Sequence, residues 1–381
     1  MAQTKKIAFD LRRIKNPGIG RYMKCLVEAL LAREPEHEYL LIMLPGTEEM
    51  IAVSGQHAEK LSTKLKYYSI REQIELPKIL RAHQVDLLHS PHFMLPLRRT
   101  CPSVVTIHDV IYLACKQDLP SRLGRLYYRG MMAAAVRAAD RIITDSEFSK
   151  QDIMRRLHVR SSKIDVIYPA VGAEFQKVTE AGRLQRVRSK YGISGEYILY
   201  TGILKPRKNH AGLVRAFQHF LGAGGDAQLV IAGPTNQAET ELRRLAEHLG
   251  VAARVVFTGF VEEPDLPALY SAARVYACPS LYEGFGFTVL EAMACGVPVV
   301  CSAETSLPEV AGDAALYADP RSTEQFGHAL AQTWHDCGLR NSLVQKGHEN
   351  LRRFSWDRAA EQTLAVYHQV LGIPSETAVY A

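Results

Sequence analysis

Residues Pro279 to Val300 read PSLYEGFGFTVLEAMACGVPVV, and the interpretation of the whole chain turns on them. Two acids, Glu283 and Glu291, lie on either side of a Gly-Phe-Gly turn, and a small-residue helical run and a valine-rich strand follow at once. Such a loop feeds the start of a helix, where backbone N–H groups and the helix dipole favour a bound anion. Acids at that place need a second reason to be there. A carboxylate accepts hydrogen bonds from hydroxyls, so two of them beside an anion site suit a ligand that carries both phosphate and polyol, as a nucleotide sugar does. Solvated acids at a helix start are the plainer alternative, but the flanking sequence is almost wholly apolar or glycine, which predicts a lined cleft.

Upstream of this stretch the second half of the chain alternates strand and helix. EYILYTG (196–202) is followed by the basic turn ILKPRKN and the helix LVRAFQHFL, and QLVIAG, ARVVFTGF and VYACPS are three further strands. The first half has the same rhythm, with strands KIAFDL, EYLLIML, KLKYYSI, DLLHSP, SVVTIHD, RIITDS and KIDVIYPAV and a first helix RYMKCLVEALLARE. Alternation of this kind predicts an α/β chain with parallel sheets covered by helices on both faces. The pattern loosens between Gly172 and Gly195. The expected organisation is therefore two doubly wound, Rossmann-like domains at 1–175 and 176–354, with a C-terminal helical segment at 355–381.

With 381 residues, 47% hydrophobic and 23% charged, the chain is globular and exceeds what one core usually supports. A net charge of +6 suits anionic ligands or an acidic membrane surface. No dense basic run with interleaved aromatics is present, so nucleic acid is not an expected partner. The seven cysteines are scattered without paired spacing, which argues for reduced thiols in a cytoplasmic protein and against a zinc site. The N-terminus MAQTKKIAFDLRR reads as a first strand and not as a signal peptide. No apolar run approaches the roughly 20 residues that span a bilayer, so any membrane contact is peripheral. The basic and aromatic stretches at 60–71 and 121–130 fit either an anionic lipid surface or an ordinary solvated one. Oligomeric state is not legible.

Further candidate residues sit at strand ends, where ligands of open α/β sheets bind. Gly18, Ile19 and Gly20 form a turn before the first helix. A dinucleotide fingerprint wants another glycine where Met23 stands, so NAD is not the ligand expected, and an ordinary turn remains an alternative. His108, with Asp109 beside it, closes SVVTIHD, while His89 and His92 look like loop residues. Lys205, Arg207 and Lys208 follow the first strand of the second half. Cations there can neutralise a diphosphate leaving group. Paired acids alone would also fit a glycosidase, which needs no activated phosphate site, and the basic turn favours a transferase.

These residues carry a resemblance. PGIGRY, TIHD (106–109), TDSEFSKQDI (144–153), TGILKPRKN (201–209), VVFTGFVEEPDLPALYSAA (255–273), the opening stretch and SLPEVAGDAALYADP together resemble the retaining glycosyltransferases of the GT-B fold, the large group that includes bacterial mannosyl- and glucosyltransferases. The resemblance covers essentially the whole length, and the Glu, seven residues, Glu motif is its most specific part. It implies two Rossmann-like domains facing across a cleft, with a last helix, Trp356 to Leu371, crossing back to the first domain. It implies that Glu283 contacts the donor sugar and Glu291 the ribose, and that Gly286, Phe287 and Thr288 offer N–H groups to the diphosphate. Lys208, with Arg207 beside it, matches the basic position on the diphosphate. Many relatives have Arg after the glycine equivalent to Gly202, where this chain has Ile203, so Arg207 or Lys205 would supply that charge. Val261 resembles positions whose backbone reads the base, His108 the residue near the donor sugar, and Gly18 to Gly20 the loop facing the diphosphate.

The function implied is transfer of a hexose, with mannose from GDP-mannose as the first reading, onto a glycan or lipid-linked acceptor in polysaccharide or glycolipid assembly. No metal and no cofactor are expected. A UDP-glucose or other UDP-sugar donor, a sugar-nucleotide epimerase of the same fold, and a non-catalytic nucleotide-sugar sensor are the competing readings. The expected location is the cytoplasm, with the inner face of the membrane as the site of any lipid contact.

Overall fold

A computed structural model describes residues 4–16, 18–33, 37–53, 57–69, 71–96, 98–235 and 237–374. They divide into two compact units, one built from 1–114, 119–170 and 355–381, the other from 115–118 and 171–354.

The first unit holds seven strands, β1 (Lys6–Asp10), β2 (Glu38–Met43), β3 (Ala58–Ser62), β4 (Leu87–Ser90), β5 (Ser103–Thr106), β6 (Arg141–Thr144) and β7 (Ile164–Val166). They pair in parallel in the order β3-β2-β1-β4-β5-β6-β7. Both faces of the sheet are covered at its centre, which is why the inner strands are buried apolar runs while the edge strand β3, AEKLS, is largely exposed. Side chains alternate between the faces: Ile7, Phe9, Tyr39 and Leu41 enter one buried cluster, and Ala8, Leu40 and Ile42 enter the other. The helix Trp356–Leu371 belongs to the first of these clusters through Ala359, Ala360, Val366 and Tyr367. The Ser355 side chain caps that helix by accepting from the Arg358 N–H.

The expected strand KLKYYSI is not one. The strand beside β2 is Ala58–Ser62, with Tyr39 opposite Ala58 and Met43 opposite Ser62. The residues that follow it are drawn onto two arginines: Arg12 lies 4.3 Å from the Tyr67 ring centre, and Arg13 donates to the Tyr68 hydroxyl at 2.6 Å. Tyr68 takes a left-handed φ of 61°, which an extended strand cannot include. Ile70 lies outside the described residues. SVVTIHD also differs from expectation, since β5 stops at Thr106 and His108 stands in the loop beyond it.

The second unit holds β8 (Tyr197–Thr201), β9 (Gln228–Ala232), β10 (Val255–Gly259), β11 (Val275–Cys278), β12 (Val299–Ser302) and β13 (Ala315–Ala318), all parallel, in the order β10-β9-β8-β11-β12-β13. This is the doubly wound order whose ligand crevice opens where the direction of winding reverses, between β8 and β11. β13 was not legible in the sequence. Its four residues, ALYA, include no β-branched side chain, and it pairs with β12 alone at the sheet's edge.

Candidate active site

At the reversal point of the six-stranded sheet, the segment after β8 and the segment after β11 bring a cation and a carboxylate together. Lys208 closes the short 3-10 turn Pro206–Lys208, and Asn209 leaves it with a left-handed φ of 55° to begin the helix His210–Gly222. The Leu281 N–H donates to the Arg207 carbonyl at 2.7 Å, which ties the basic turn to the loop carrying Glu283. Lys208 Nζ lies 2.5 Å from Glu283 Oε1, and Ser280 Oγ donates to the same oxygen at 2.7 Å. Thr305 and Ser306 fix the loop's main chain, with Thr305 Oγ1 accepting from the Glu283 N–H and Ser306 Oγ donating to the carbonyls of Glu283 and Phe285.

Glu283 is buried, at 8% exposure. Burial alone would raise its pKa, but the charge and hydrogen bond of Lys208, the Ser280 hydroxyl and the charge of Arg207 hold the carboxyl below the usual range. It is therefore ionised at neutral pH, an acceptor for hydroxyls and not a proton donor.

The helix Phe287–Ala294 begins at Gly286, whose φ of 111° favours glycine. Its first intrahelical bond runs from the Val289 N–H to the Gly286 carbonyl, so the N–H groups of Phe287 and Thr288 precede the ladder and are suited to an anion. Glu291 lies on this helix at 4% exposure and accepts from the Tyr270 hydroxyl at 2.8 Å. The Tyr270 hydroxyl is in turn 2.5 Å from Thr201 Oγ1 at the end of β8. The sheet's carboxyl edge is closed by backbone contact: a Cβ on Gly233 would stand 2.0 Å from the Gly202 carbonyl oxygen, so only glycine fits there. Lys205 and Ile203 are exposed. Arg207 does not simply face outward; it pairs with Asp118 of the short turn Lys116–Asp118, which belongs to this unit. Val261, after β10, is buried, whereas its neighbour Phe260 is 66% exposed.

In the first unit, Gly18 caps the helix Ile19–Ala32 with φ 77°, and a Cβ on it would meet nothing within 4 Å. Gly20 has no such freedom, because its Cβ would fall 1.9 Å from the Ile14 carbonyl oxygen. Pro17 of the same turn lies outside the described residues. His108 Nδ1 is 2.7 Å from Asp145 Oδ2, and the edge of its ring packs against Tyr22 with centres 4.7 Å apart. Burial opposes a charge on His108, but Asp145, and to a smaller degree Asp109 and the Pro91 carbonyl, hold its pKa above the ordinary value. His89 is different in kind. Sealed between Thr106 Oγ1 at 2.9 Å and the Tyr367 hydroxyl at 2.6 Å, it is pushed down by burial to about 3 and stays neutral.

Residues 185–350 match the family described as Glycosyl transferases group 1, and residues 17–175 match Glycosyltransferase Family 4. The chain is 33% identical over 380 residues to the O-antigen chain mannosyltransferase B of Escherichia coli, an alignment covering 95% of this chain and 99% of that protein. The chain belongs to the group 1 glycosyltransferases.

Its fold is GT-B. The glycosyltransferase superposes on the sucrose-phosphate synthase of Thermosynechococcus elongatus with a TM-score of 0.76 at 22% identity, over 97% of this chain and 100% of that one. It also superposes on Anabaena HepE in complex with UDP and glucose, with a TM-score of 0.75 at 19% identity, over 96% and 100% of the two chains. Several partners of the candidate residues in each unit were not singled out by motif reading. Ser280 and Tyr270 lie inside quoted motifs but are ordinary residue types, Asp118 is 89 positions from Arg207, and Asp145 is 37 positions from His108. For Asp145 a signal existed, since TDS follows a strand and places an acid at the sheet's carboxyl edge.

Proposed function

We propose that the enzyme transfers mannose from GDP-mannose, with retention at the anomeric carbon, to a glycan or lipid-linked acceptor. The observation that carries this reading is the pairing of half-buried Lys208 with buried Glu283 at the reversal point of the six-stranded sheet, one oxygen of the carboxylate already engaged and the ammonium within the same cluster. In this reading the bond from the anomeric carbon to the diphosphate oxygen breaks while the acceptor oxygen bonds to the same face. The acceptor's proton passes to the departing diphosphate, so no protein base is needed. Lys208, assisted by the charge of Arg207 and by the first N–H groups of the helix Phe287–Ala294, stabilises the charge that grows on the leaving group. Glu283 accepts from sugar hydroxyls and Glu291, oriented by Tyr270, from the ribose. Gly202, Lys205 and the main chain at Val261 are assigned to the donor, as are Gly18 to Gly20, and His108 to the sugar.

Mannose is favoured by the name of the Escherichia coli relative, which aligns with nearly the whole chain. Lys208 takes the part that a divalent cation plays in other transferases, so turnover is expected to persist in EDTA. The test is twofold. In thermal unfolding, GDP-mannose should raise the midpoint more than UDP-glucose does. In turnover, Lys208→Ala and Glu283→Ala should each lose roughly 10²–10³-fold in kcat while circular dichroism stays native. Near-normal rates in both variants would sink the assignment, and donor converted without acceptor would mark an epimerase instead.

A further inference from the structure

The opposite, amino-terminal edge of the six-stranded sheet carries a second concavity, of about 620 Å³. Sites for small molecules span roughly 300–1,000 Å³. Its floor is Ala273 and Arg274, just before β11, and Pro298, just before β12. Its wall is one face of the helix Cys337–Leu351, where Arg340, Asn341, Val344, Gln345 and His348 follow the i, i+1, i+4, i+5, i+8 spacing of a single stripe. Neither Lys208 nor Glu283 lines it.

Two guanidinium groups meet here on one carbonyl oxygen. The Trp334 carbonyl, in the last turn of the helix Thr323–His335, accepts from Arg340 Nη1 at 2.5 Å and from Arg274 Nη2 and Nε at 3.1 and 3.3 Å. The carbonyls at a helix C-terminus attract a cation, which accounts for one arginine. Arg274 is that one. Its Nη1 also donates to both oxygens of Glu196, at 2.7 and 2.9 Å, so each of its nitrogens is used. Arg340 differs: Nη1 is pinned by the Trp334 carbonyl and, at 3.1 Å, by the Thr333 carbonyl, whereas Nε and Nη2 meet no acceptor among the described residues. Lys177 approaches from the other side. Its stem lies over Gly296, where a Cβ would stand 3.1 Å from Lys177 Cδ, and its ammonium meets no acceptor among the described residues. The lining includes Lys177, Arg274, Arg340 and Arg352 against a single acid, Glu349, which accepts from Gln345 Nε2 at 3.3 Å. Even with Glu196 set against Arg274, the balance is positive.

Cations on an ordinary solvated surface spread apart, because like charges repel. These are held together, one by two carbonyls and another by a glycine that its stem covers. The Nε and Nη2 edge of a guanidinium offers two parallel donors that match a tetrahedral oxyanion, and a lysine adds a point charge. The apolar floor of Ala273, Pro298 and Val344, with the amides of Asn341 and Gln345 beside it, leaves room for a small body attached to that anion.

We propose that this pocket binds a phosphate group, free or carried by a small organic molecule, at a site separate from that of Lys208 and Glu283. The inference is independent of the catalytic assignment, because binding is measured without donor or acceptor.

The experiment is calorimetric titration of the full chain with mannose 6-phosphate, with inorganic phosphate, and with mannose as the uncharged control. The expected result is binding of the phosphate probes that weakens as salt rises, with mannose at least tenfold weaker. Arg340→Gln and, separately, Lys177→Gln with His348→Gln should each lower the affinity roughly tenfold or more, while Lys208→Ala should bind the probes as the wild type does. Tighter binding of the ester than of inorganic phosphate supports an organic phosphate as the occupant, and equal affinity supports the free ion. No binding of either phosphate probe at millimolar concentration, equal binding of mannose, or full binding by both pocket variants overturns the proposal. Binding that Lys208→Ala abolishes also overturns it, since the probe would then occupy the other site. Should Arg340→Gln fail to fold, the Lys177 and His348 variant decides.

Discussion

The central strands β1 and β8 hold equivalent places, each where the winding of its own sheet reverses, yet their carboxyl ends are built to opposite purposes. β1 ends in Asp10, which accepts from Arg12 Nε at 2.8 Å and Nη2 at 2.7 Å, and Arg12 also donates to Glu72 at 2.6 Å and to the Leu65 carbonyl at 3.2 Å. That guanidinium is 0% exposed. β8 ends in Thr201, with Gly202 just beyond it closed by the backbone contact with Gly233, and the cation that follows, Lys208, keeps 13% exposure with a carboxylate oxygen of Glu283 as its partner. Both ends pair acid with base. The difference is saturation: a cation whose donors are used on every side stabilises a fold, and one held by a single carboxylate oxygen near solvent retains donors for a ligand.

That contrast can be broken most directly at Glu72. Removing one partner from a buried ion cluster leaves charge uncompensated, so Glu72→Ala should destabilise the protein by about 3–5 kcal/mol in urea unfolding. A loss under about 1 kcal/mol would show that Arg12 is not saturated in the sense argued. A smaller effect sharpens the other side of the comparison. Tyr270→Phe removes the hydroxyl that orients Glu291. Because one such bond contributes about 1 kcal/mol, KM for the donor should rise roughly fivefold with kcat nearly unchanged. An equal fall in kcat would move Glu291 from holding the nucleotide to acting on the sugar.

The same contrast explains what could be read in the sequence. The second unit's site is assembled from short contiguous segments: Lys208 lies seven positions beyond Thr201, and Glu283, Gly286 and Glu291 sit in one loop and helix start. Strand ends and turn residues therefore located them. The two-sheet α/β architecture was legible for the same reason, from apolar runs punctuated by glycine. The first unit's edge is assembled from distant residues of ordinary type. Nothing in FDLRR marks Arg12 as bound to Glu72, sixty positions away, and the aromatic pair Tyr67 and Tyr68 has the composition of a strand although the arginines bend it into a turn. Exposure was equally hidden. YYRG and LGRL read the same whether Leu126 and Tyr127 face a core or, as in the structure, solvent.

The smallest expected effect lies at His108, and its sign follows from the geometry. Asp145, with Asp109 and the Pro91 carbonyl, more than offsets burial and raises the imidazole above its ordinary 6.5. A group whose pKa is higher in the folded chain binds its proton more tightly there, so the stabilisation is fully present below pH 6.5 and is lost as pH climbs through the folded value. The neighbouring rings act with the opposite sign. His89 is neutral in the fold down to about 3, and burial, with the charges of Arg13 and His108, holds His92 well below its ordinary value. Both take up protons only on unfolding and so lower stability as pH falls below 6.5, but they do so in wild type and variant alike and cancel in the comparison. Asp145→Asn keeps a hydrogen-bond acceptor at the same place but removes the charge. Stability measured from pH 5 to pH 8 should therefore show a wild-type advantage that is largest at the acid end and shrinks toward the alkaline end. An advantage that is constant across the range would mean that Asp145 acts by packing and hydrogen bonding alone, and that His108 is held neutral like His89.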